Sequence, residues 1–260
     1  MIRLEPALYQ KVWGATRLAP WLPDSDRKIG EAWFTADPPL PILLKFLFTS
    51  GKLSVQVHPD GECGTGKTEM WYILRADAGA RIALGFEQPI TRERAREAAR
   101  TGEIERLLKW FPVKAGQCYF TPARTVHAIG PGLALCEIQQ NSDITYRLYD
   151  YGRPRELHLE QGLAVAELGV HPGASAPRAL ENGWTELARC RWFATEMRTL
   201  TSEGLLESRA DSFQLVVCIE GRGRLGVEPV ATGDVWLVRA GERCTIRPEP
   251  SLRLLRAYVP

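Results

Sequence analysis

Strand-length apolar runs dominate this chain. Residues 42–47 form one such run, interrupted only by Lys45, and residues 53–58 alternate between apolar and polar. The runs 70–74 and 81–84 follow, each bounded by Gly or Asp turns. Further strands are predicted at 117–121, 134–139 and 145–149, and then at 193–199, 213–219, 223–227, 234–238 and 252–259. One segment, near 91–110, departs from the pattern. Thr91 is placed to cap a helix along which Ala95, Ala98, Ile104, Leu107 and Leu108 recur near helical spacing, and Gly102 is expected to split it in two. Many short strands joined by Gly-rich turns predict an all-β fold, and closure into jelly-roll barrels disposes of exposed sheet edges.

The segment 169–183 is rich in Gly, Pro, Ala and Ser and is the best linker candidate. It divides the chain into residues 1–168, carrying the helical insertion, and residues 169–260. A repeat joins the halves: 116–127 lies on 233–244 without a gap. Both copies run a turn glycine, five strand residues and a tight turn. The first ends in His127, where the second has Cys244. The four histidines are His58, His127, His158 and His171, so the second half cannot build a histidine metal site, and a structural or lid role is expected for it.

Composition narrows the function classes. At 260 residues, 45% hydrophobic and 25% charged, the chain can bury a real core. A net charge of +2 argues for neither nucleic acid nor a membrane surface. The first residues lack the apolar stretch of an export signal, and no apolar run is long enough to span a bilayer. The six cysteines are widely spaced without a CxxC pair, which suits reduced thiols and a cytoplasmic protein.

The chemistry concentrates in Leu53-Ser54-Val55-Gln56-Val57-His58-Pro59-Asp60 and Gly66-Lys67-Thr68-Glu69. Gln56 and His58 are two apart on a strand, so their side chains leave one face; the same holds for Lys67 and Glu69. With His127 they offer an amide oxygen, two imidazoles and a carboxylate, a mixed set that suits zinc with an open coordination position. Taken singly, Gln56 reads as an ordinary strand residue, His58 as a hydrogen-bonded core histidine and Glu69 as a surface charge. Lys45 in an apolar strand is costly if unpaired, which argues for function. His158 and His171 are read as structural, and Trp13, Trp33 and Trp71 as packing residues.

The form G-x5-P-x-G-x2-H over 116–127 resembles the second motif of the cupin superfamily, with Arg124 at the second glycine. Two cupin-like jelly rolls are therefore expected. Gln56 in the first ligand place narrows the likeness. The segments 53–60, 66–74 and Thr125-Val126-His127-Ala128-Ile129, with 137–147, resemble the signatures of type I phosphomannose isomerase in its short bacterial form. The resemblance implies interconversion of mannose 6-phosphate and fructose 6-phosphate, with one zinc ion on Gln56, His58, Glu69 and His127. It implies substrate contacts at Lys45, Ser54, Lys67, Asp143 and Arg147, and a pocket glutamate at Glu137. The expected partner is a hexose 6-phosphate, and the expected assembly a monomer or homodimer.

Aldose–ketose isomerisation moves a proton between C1 and C2 through an enediolate. Lys67 and Glu137 are both candidates for the base, whereas Arg147, always charged, suits the phosphate or the enediolate. Arg124 costs about 1 kcal/mol if its backbone is left-handed; its guanidinium is expected to reach the pocket and add a phosphate contact. The segment between Asp60 and Gly66 and the helical insertion are both small for the family, implying a more open pocket. Two rival readings are an iron-dependent cupin dioxygenase and a non-catalytic sugar-phosphate-binding module.

Overall fold

A computed structural model describes residues 1–62 and 64–260; Cys63, one of the predicted thiols, lies outside the described residues. The first half runs β1 (Ile2–Leu4), β2 (Pro6–Ala15), β3 (Ile29–Phe34), β4 (Ile42–Thr49), β5 (Val55–Val57), β6 (Glu69–Ala76) and β7 (Arg81–Phe86). Then come α1 (Arg92–Thr101), α2 (Ile104–Leu107), β8 (Leu108–Pro112), β9 (Cys118–Thr121), β10 (His127–Ile129), β11 (Leu133–Gln140), β12 (Tyr146–Tyr149) and α3 (Leu159–Val165). The remainder is strands: β13 (Arg178–Ala179), β14 (Thr185–Arg189), β15 (Ala194–Leu200), β16 (Gly204–Glu207), β17 (Gln214–Leu225), β18 (Glu228–Ala231), β19 (Val235–Val238) and β20 (Arg243–Tyr258).

The all-β expectation holds, and every strand pairing within the sheets is antiparallel. A six-stranded sheet, in the order β2-β3-β4-β11-β6-β9, faces a five-stranded one, β12-β5-β10-β7-β8. Between them lies an apolar interior built from Leu47, Trp71, Ile73 and Leu135 on one side and Ile82, Leu84 and Ile129 on the other. Alternation along β4 explains why all of it is buried. Leu44, Phe46 and Phe48 point outward onto Leu215, Val217, Leu255 and Ala257 of the second half, while Leu47 and Lys45 point inward. Each large apolar side chain buried on either face contributes about 1.5–3 kcal/mol. The far face of the five-stranded sheet is covered by the helices, through Ala95, Ala98, Ala99, Ile104 and Leu163.

The helical insertion forms as expected. Thr91 caps α1 by accepting from Arg94 N–H at 3.2 Å, and Gly102, with φ 80°, ends it in the left-handed region. The insertion stops earlier than predicted: Leu108 already starts β8, because its backbone pairs with Phe86 of β7. Helix α3 is too short to show a period in the sequence. Along 169–183 the chain is fastened to the first barrel: Ser175 N–H donates to the Cys118 carbonyl and His171 sits against the Phe120 carbonyl.

In the second half, β13 to β20 and β1 form one nine-stranded sheet that wraps onto itself around Val216, Leu252 and Leu254. The strands expected separately at 213–219 and 223–227 are one, β17, which shifts register against β20 between Cys218 and Glu220 and again between Gly221 and Gly223. A Cβ on Gly223 would meet the Arg247 carbonyl at 2.2 Å, so only glycine lets the two backbones close there. Among the described residues no helix is long and apolar enough to cross a membrane.

Candidate metal centre and active site

Two rows of cross-strand neighbours face each other across the mouth of the first barrel. On the six-stranded sheet, Trp33 pairs with Lys45, Lys45 with Glu137, and Glu137 with Trp71. On the five-stranded sheet, Arg147 pairs with Gln56, and Gln56 with His127. His58 leaves the same face as Gln56 just beyond β5. Lys67 and Glu69 arrive together where β6 begins. The rows bound a cavity of about 340 Å³ that Asp143, Ser54 and Arg155 also line.

At its floor His58, Glu69 and His127 are buried with their ligand atoms within 4.8 Å of one another. His58 Nε2 lies 3.7 Å from Glu69 Oε2, and His127 Nε2 lies 3.5 Å from Glu69 Oε1. Each imidazole is oriented from behind. His58 Nδ1 donates to the Ile144 carbonyl and His127 Nδ1 to the Thr125 carbonyl, both at 2.8 Å, so each Nε2 presents a lone pair to the centre. Burial keeps both rings neutral: His127 is pushed down to about 4, and His58 well below its ordinary value, with the Lys67 ammonium adding to burial. Burial also pushes Glu69 up to about 7, against the pull of Lys67. Glu69 Oε1 is buried without a hydrogen-bond partner. Two neutral imidazoles and an unsatisfied carboxylate oxygen, converging on one point, fit a zinc ion.

Gln56 stands beside this trio, but its amide nitrogen faces His127 Nε2 at 3.2 Å, while its oxygen accepts from Ser54 Oγ at 2.9 Å. The imidazole lone pair takes a donor. A cation taking that lone pair calls for the amide oxygen instead, which a half-turn of the amide supplies. Ser54 therefore acts first on Gln56.

Lys67 Nζ donates to Glu69 Oε2 at 2.6 Å and to His58 Nε2 at 3.1 Å, and lies 3.8 Å from Glu137 Oε1. Burial alone would lower Lys67, but the Glu137 and Glu69 carboxylates outweigh it and raise it above the ordinary lysine value. Burial alone would likewise raise Glu137. The Lys67 and Lys45 ammonium groups and the Trp71 N–H, 2.9 Å from Oε2, hold it below the ordinary carboxylate value instead. Lys45 Nζ sits 3.5 Å from Glu137 Oε1 and 4.2 Å from the centre of the Trp33 ring. The lysine that looked costly in its strand is thus paired on both sides.

Arg147 is half-buried in the cavity wall, and no ion pair holds its guanidinium among the described residues. Burial, and then the charge of Arg155, lower it. Arg155 is fixed by Asp150 through bonds of 2.6 and 2.7 Å.

Arg124 does not join the others. Its φ of 74° puts it in the left-handed region, like Gly241 (φ 71°) at the matching place of the repeat. Its side chain turns away from the cavity: Nε donates to the Val165 carbonyl and Nη2 pairs with Glu167, both at 2.9 Å. The expected phosphate contact is therefore withdrawn, because α3 and the chain after it capture the guanidinium first. Arg124→Gly is expected to leave the KM for substrate unchanged and to move stability by less than about 1 kcal/mol, since relief of the left-handed strain offsets the lost exposed ion pair and the added entropy of the unfolded chain. Steady-state kinetics and a melting curve check this.

Sequence reasoning missed Arg155, and it placed Trp33 in the core although that ring stands in the cavity under Lys45. Arg153-Pro154-Arg155 was a visible basic signal, but Trp33 joins the site only through register with β4. Trp13 and Trp71 pack the interior as expected, and Trp71 also binds Glu137. His171 is structural, between the Phe120 carbonyl and Gly173 N–H.

The chain is similar to known proteins over most of its length. No family model matches it. It is 38% identical to the mannose-6-phosphate isomerase of Streptococcus mutans over 72% of this chain, and the match spans 63% of that protein, somewhat under two thirds of its length. It is 36% identical to mannose-6-phosphate isomerase ManA of Bacillus subtilis, over 77% of this chain and 70% of that one. The fold superposes on the crystal structure of a Bacillus subtilis mannose 6-phosphate isomerase with a TM-score of 0.87 and 26% identity, over 98% of each chain.

Proposed function

Because the chain belongs to the mannose-6-phosphate isomerase family, we propose that it interconverts mannose 6-phosphate and fructose 6-phosphate, using one zinc ion held by His58, Glu69, His127 and Gln56. The observation that carries this reading is the buried, partnerless Glu69 Oε1 among two lone-pair-bearing imidazoles, with Lys67 and Glu137 beside it at the floor of the cavity. Zinc bound there would supply a Lewis acid for the sugar oxygens on which negative charge develops.

The rest of the reaction falls to the chain. Glu137, a carboxylate kept deprotonated by Lys67, Lys45 and Trp71, takes the C2 proton of the aldose and returns it to C1. Lys67, kept as an ammonium, hydrogen-bonds the enediolate oxygens, gives a proton to O1 and takes one back from O2, which completes the exchange of carbonyl and hydroxyl. Lys45 holds Glu137 in place. Arg147, with Arg155 behind it, takes the phosphate dianion at the rim, where a guanidinium without a protein partner can give two parallel hydrogen bonds. Asp143 shares this rim and is placed to contact a sugar hydroxyl.

The described cysteines, Cys118, Cys136, Cys190, Cys218 and Cys244, are unpaired thiols, which suits a reducing compartment such as the cytoplasm. A coupled assay for conversion of mannose 6-phosphate to fructose 6-phosphate tests the reading; no turnover by metal-loaded protein would sink it. Within that assay Arg147→Met is expected to raise KM about 10- to 100-fold, the worth of a charged hydrogen-bonding pair. An unchanged KM would remove Arg147 from the phosphate site.

A further inference from the structure

The second barrel has a larger cavity than the first, and the isomerase chemistry makes no use of it. It measures about 570 Å³, a size that suits a small organic ligand. Period-two alternation along three strands divides the barrel interior into an apolar end and a polar one. Leu200 of β15, Val216 and Cys218 of β17, and Leu252 and Leu254 of β20 close the apolar end. Further along the same inward rows come Arg198 of β15, Gln214 of β17, and Arg256 and Tyr258 of β20, all of which line the cavity.

The polar end is assembled around a buried carboxylate. Glu196 accepts from Arg256 through Nε at 2.8 Å and Nη2 at 2.6 Å, and from Tyr258 Oη at 2.6 Å. Arg256 in turn lies 4.2 Å over the Trp184 ring. That scaffold leaves other donors unspent. The Arg198 guanidinium has no ion pair or hydrogen bond among the described residues. Gln214 is buried, and its side-chain nitrogen has no partner. Arg189 and Arg209 also reach the wall, but Glu186 and Tyr258 hold the first and Asp211 the second, so Arg198 is the guanidinium left without a partner. Trp184 and Phe213 supply flat apolar surface beside them.

We propose that this cavity is a second ligand site, which binds a small molecule carrying an oxyanion, phosphate or carboxylate, on a flat apolar body. Arg198 is its principal anchor, because it is the cavity's guanidinium without a protein partner and can give a carboxylate or phosphate two parallel hydrogen bonds. The half of the chain that cannot build a histidine metal site is on this reading a binding module. The inference does not depend on the isomerase assignment, since no residue is shared between the two cavities.

Equilibrium dialysis of the zinc-loaded full chain against labelled phenyl phosphate and, separately, benzoate tests it. The expected result is a site for at least one probe that Arg198→Glu weakens by at least about tenfold, the loss of a charge-assisted pair. The same site persists in Arg147→Ala, which disables the first cavity. Which probe binds better tells whether phosphate or carboxylate is the preferred group. Mannose 6-phosphate kinetics of Arg198→Glu should match those of the unaltered protein. Arg198→Gln, which removes the charge without reversing it, should give the same loss, and it decides the matter if the glutamate variant unfolds. Binding of both probes unaffected by either Arg198 variant, or lost only in Arg147→Ala, overturns the proposal.

Discussion

Dialysis of the purified protein against a chelator is expected to lower its conversion of mannose 6-phosphate by at least about a thousandfold, and one equivalent of zinc to restore it. The magnitude follows from the several kcal/mol that a metal contributes to stabilising charge on a reacting oxygen, each 1.36 kcal/mol being about a factor of ten. The structure gives this dependence a local cause. Glu69 Oε1 is buried without a partner, and both histidine Nε2 atoms carry lone pairs into the same point. Metal binding should therefore also be read in stability. A ligand present at about a hundred times its Kd adds about 2.7 kcal/mol, which for a chain of this size raises the melting temperature by roughly 5–10 °C. Glu69→Gln, close in shape but neutral, should lose most of both effects. Full turnover with no bound metal would refute the assignment of the centre. Turnover that requires dioxygen would move the protein to the dioxygenase reading.

Glu137→Gln is expected to cost about 10²- to 10⁴-fold in kcat with little change in KM, the usual worth of a positioned proton-transfer group. Lys67→Arg, which keeps the charge, should retain far more activity than Lys67→Met. The expectation rests on how the buried charges settle. Lys67 lies 2.6 Å from Glu69 Oε2 and 3.8 Å from Glu137 Oε1, and these two carboxylates hold it protonated. Glu137 has two ammonium groups and an indole N–H around it and stays a carboxylate. A metal that takes Glu69 leaves Glu137 to keep Lys67 charged. The opposite pattern, a mild Glu137→Gln and a dead Lys67→Arg, would make Lys67 the base. Proton exchange at C2 of the substrate in deuterated water, followed in each variant, separates loss of the base from loss of binding.

The sequence by itself determined whatever depends on neighbours a few residues apart. Gln56 with His58, and Lys67 with Glu69, share a face because strand side chains repeat every two residues, whatever the strand pairs with. The helix cap at Thr91 and the stop at Gly102 are equally local. The repeat placed Arg124 opposite Gly241, and both take positive φ. Register lay beyond that reach. Trp33, Lys45, Glu137 and Trp71 form one row only because β3, β4, β11 and β6 pair as they do, and a slip of one residue would send each to the opposite face. Tertiary structure also decided where long side chains go. Arg124 is drawn off by the Val165 carbonyl and Glu167, and Arg155 is brought in on Asp150. It decided, too, that Gly221 and Gly223 bend one strand where two were expected. An arginine spans several ångströms from its backbone, so its destination depends on which partner the fold brings within reach.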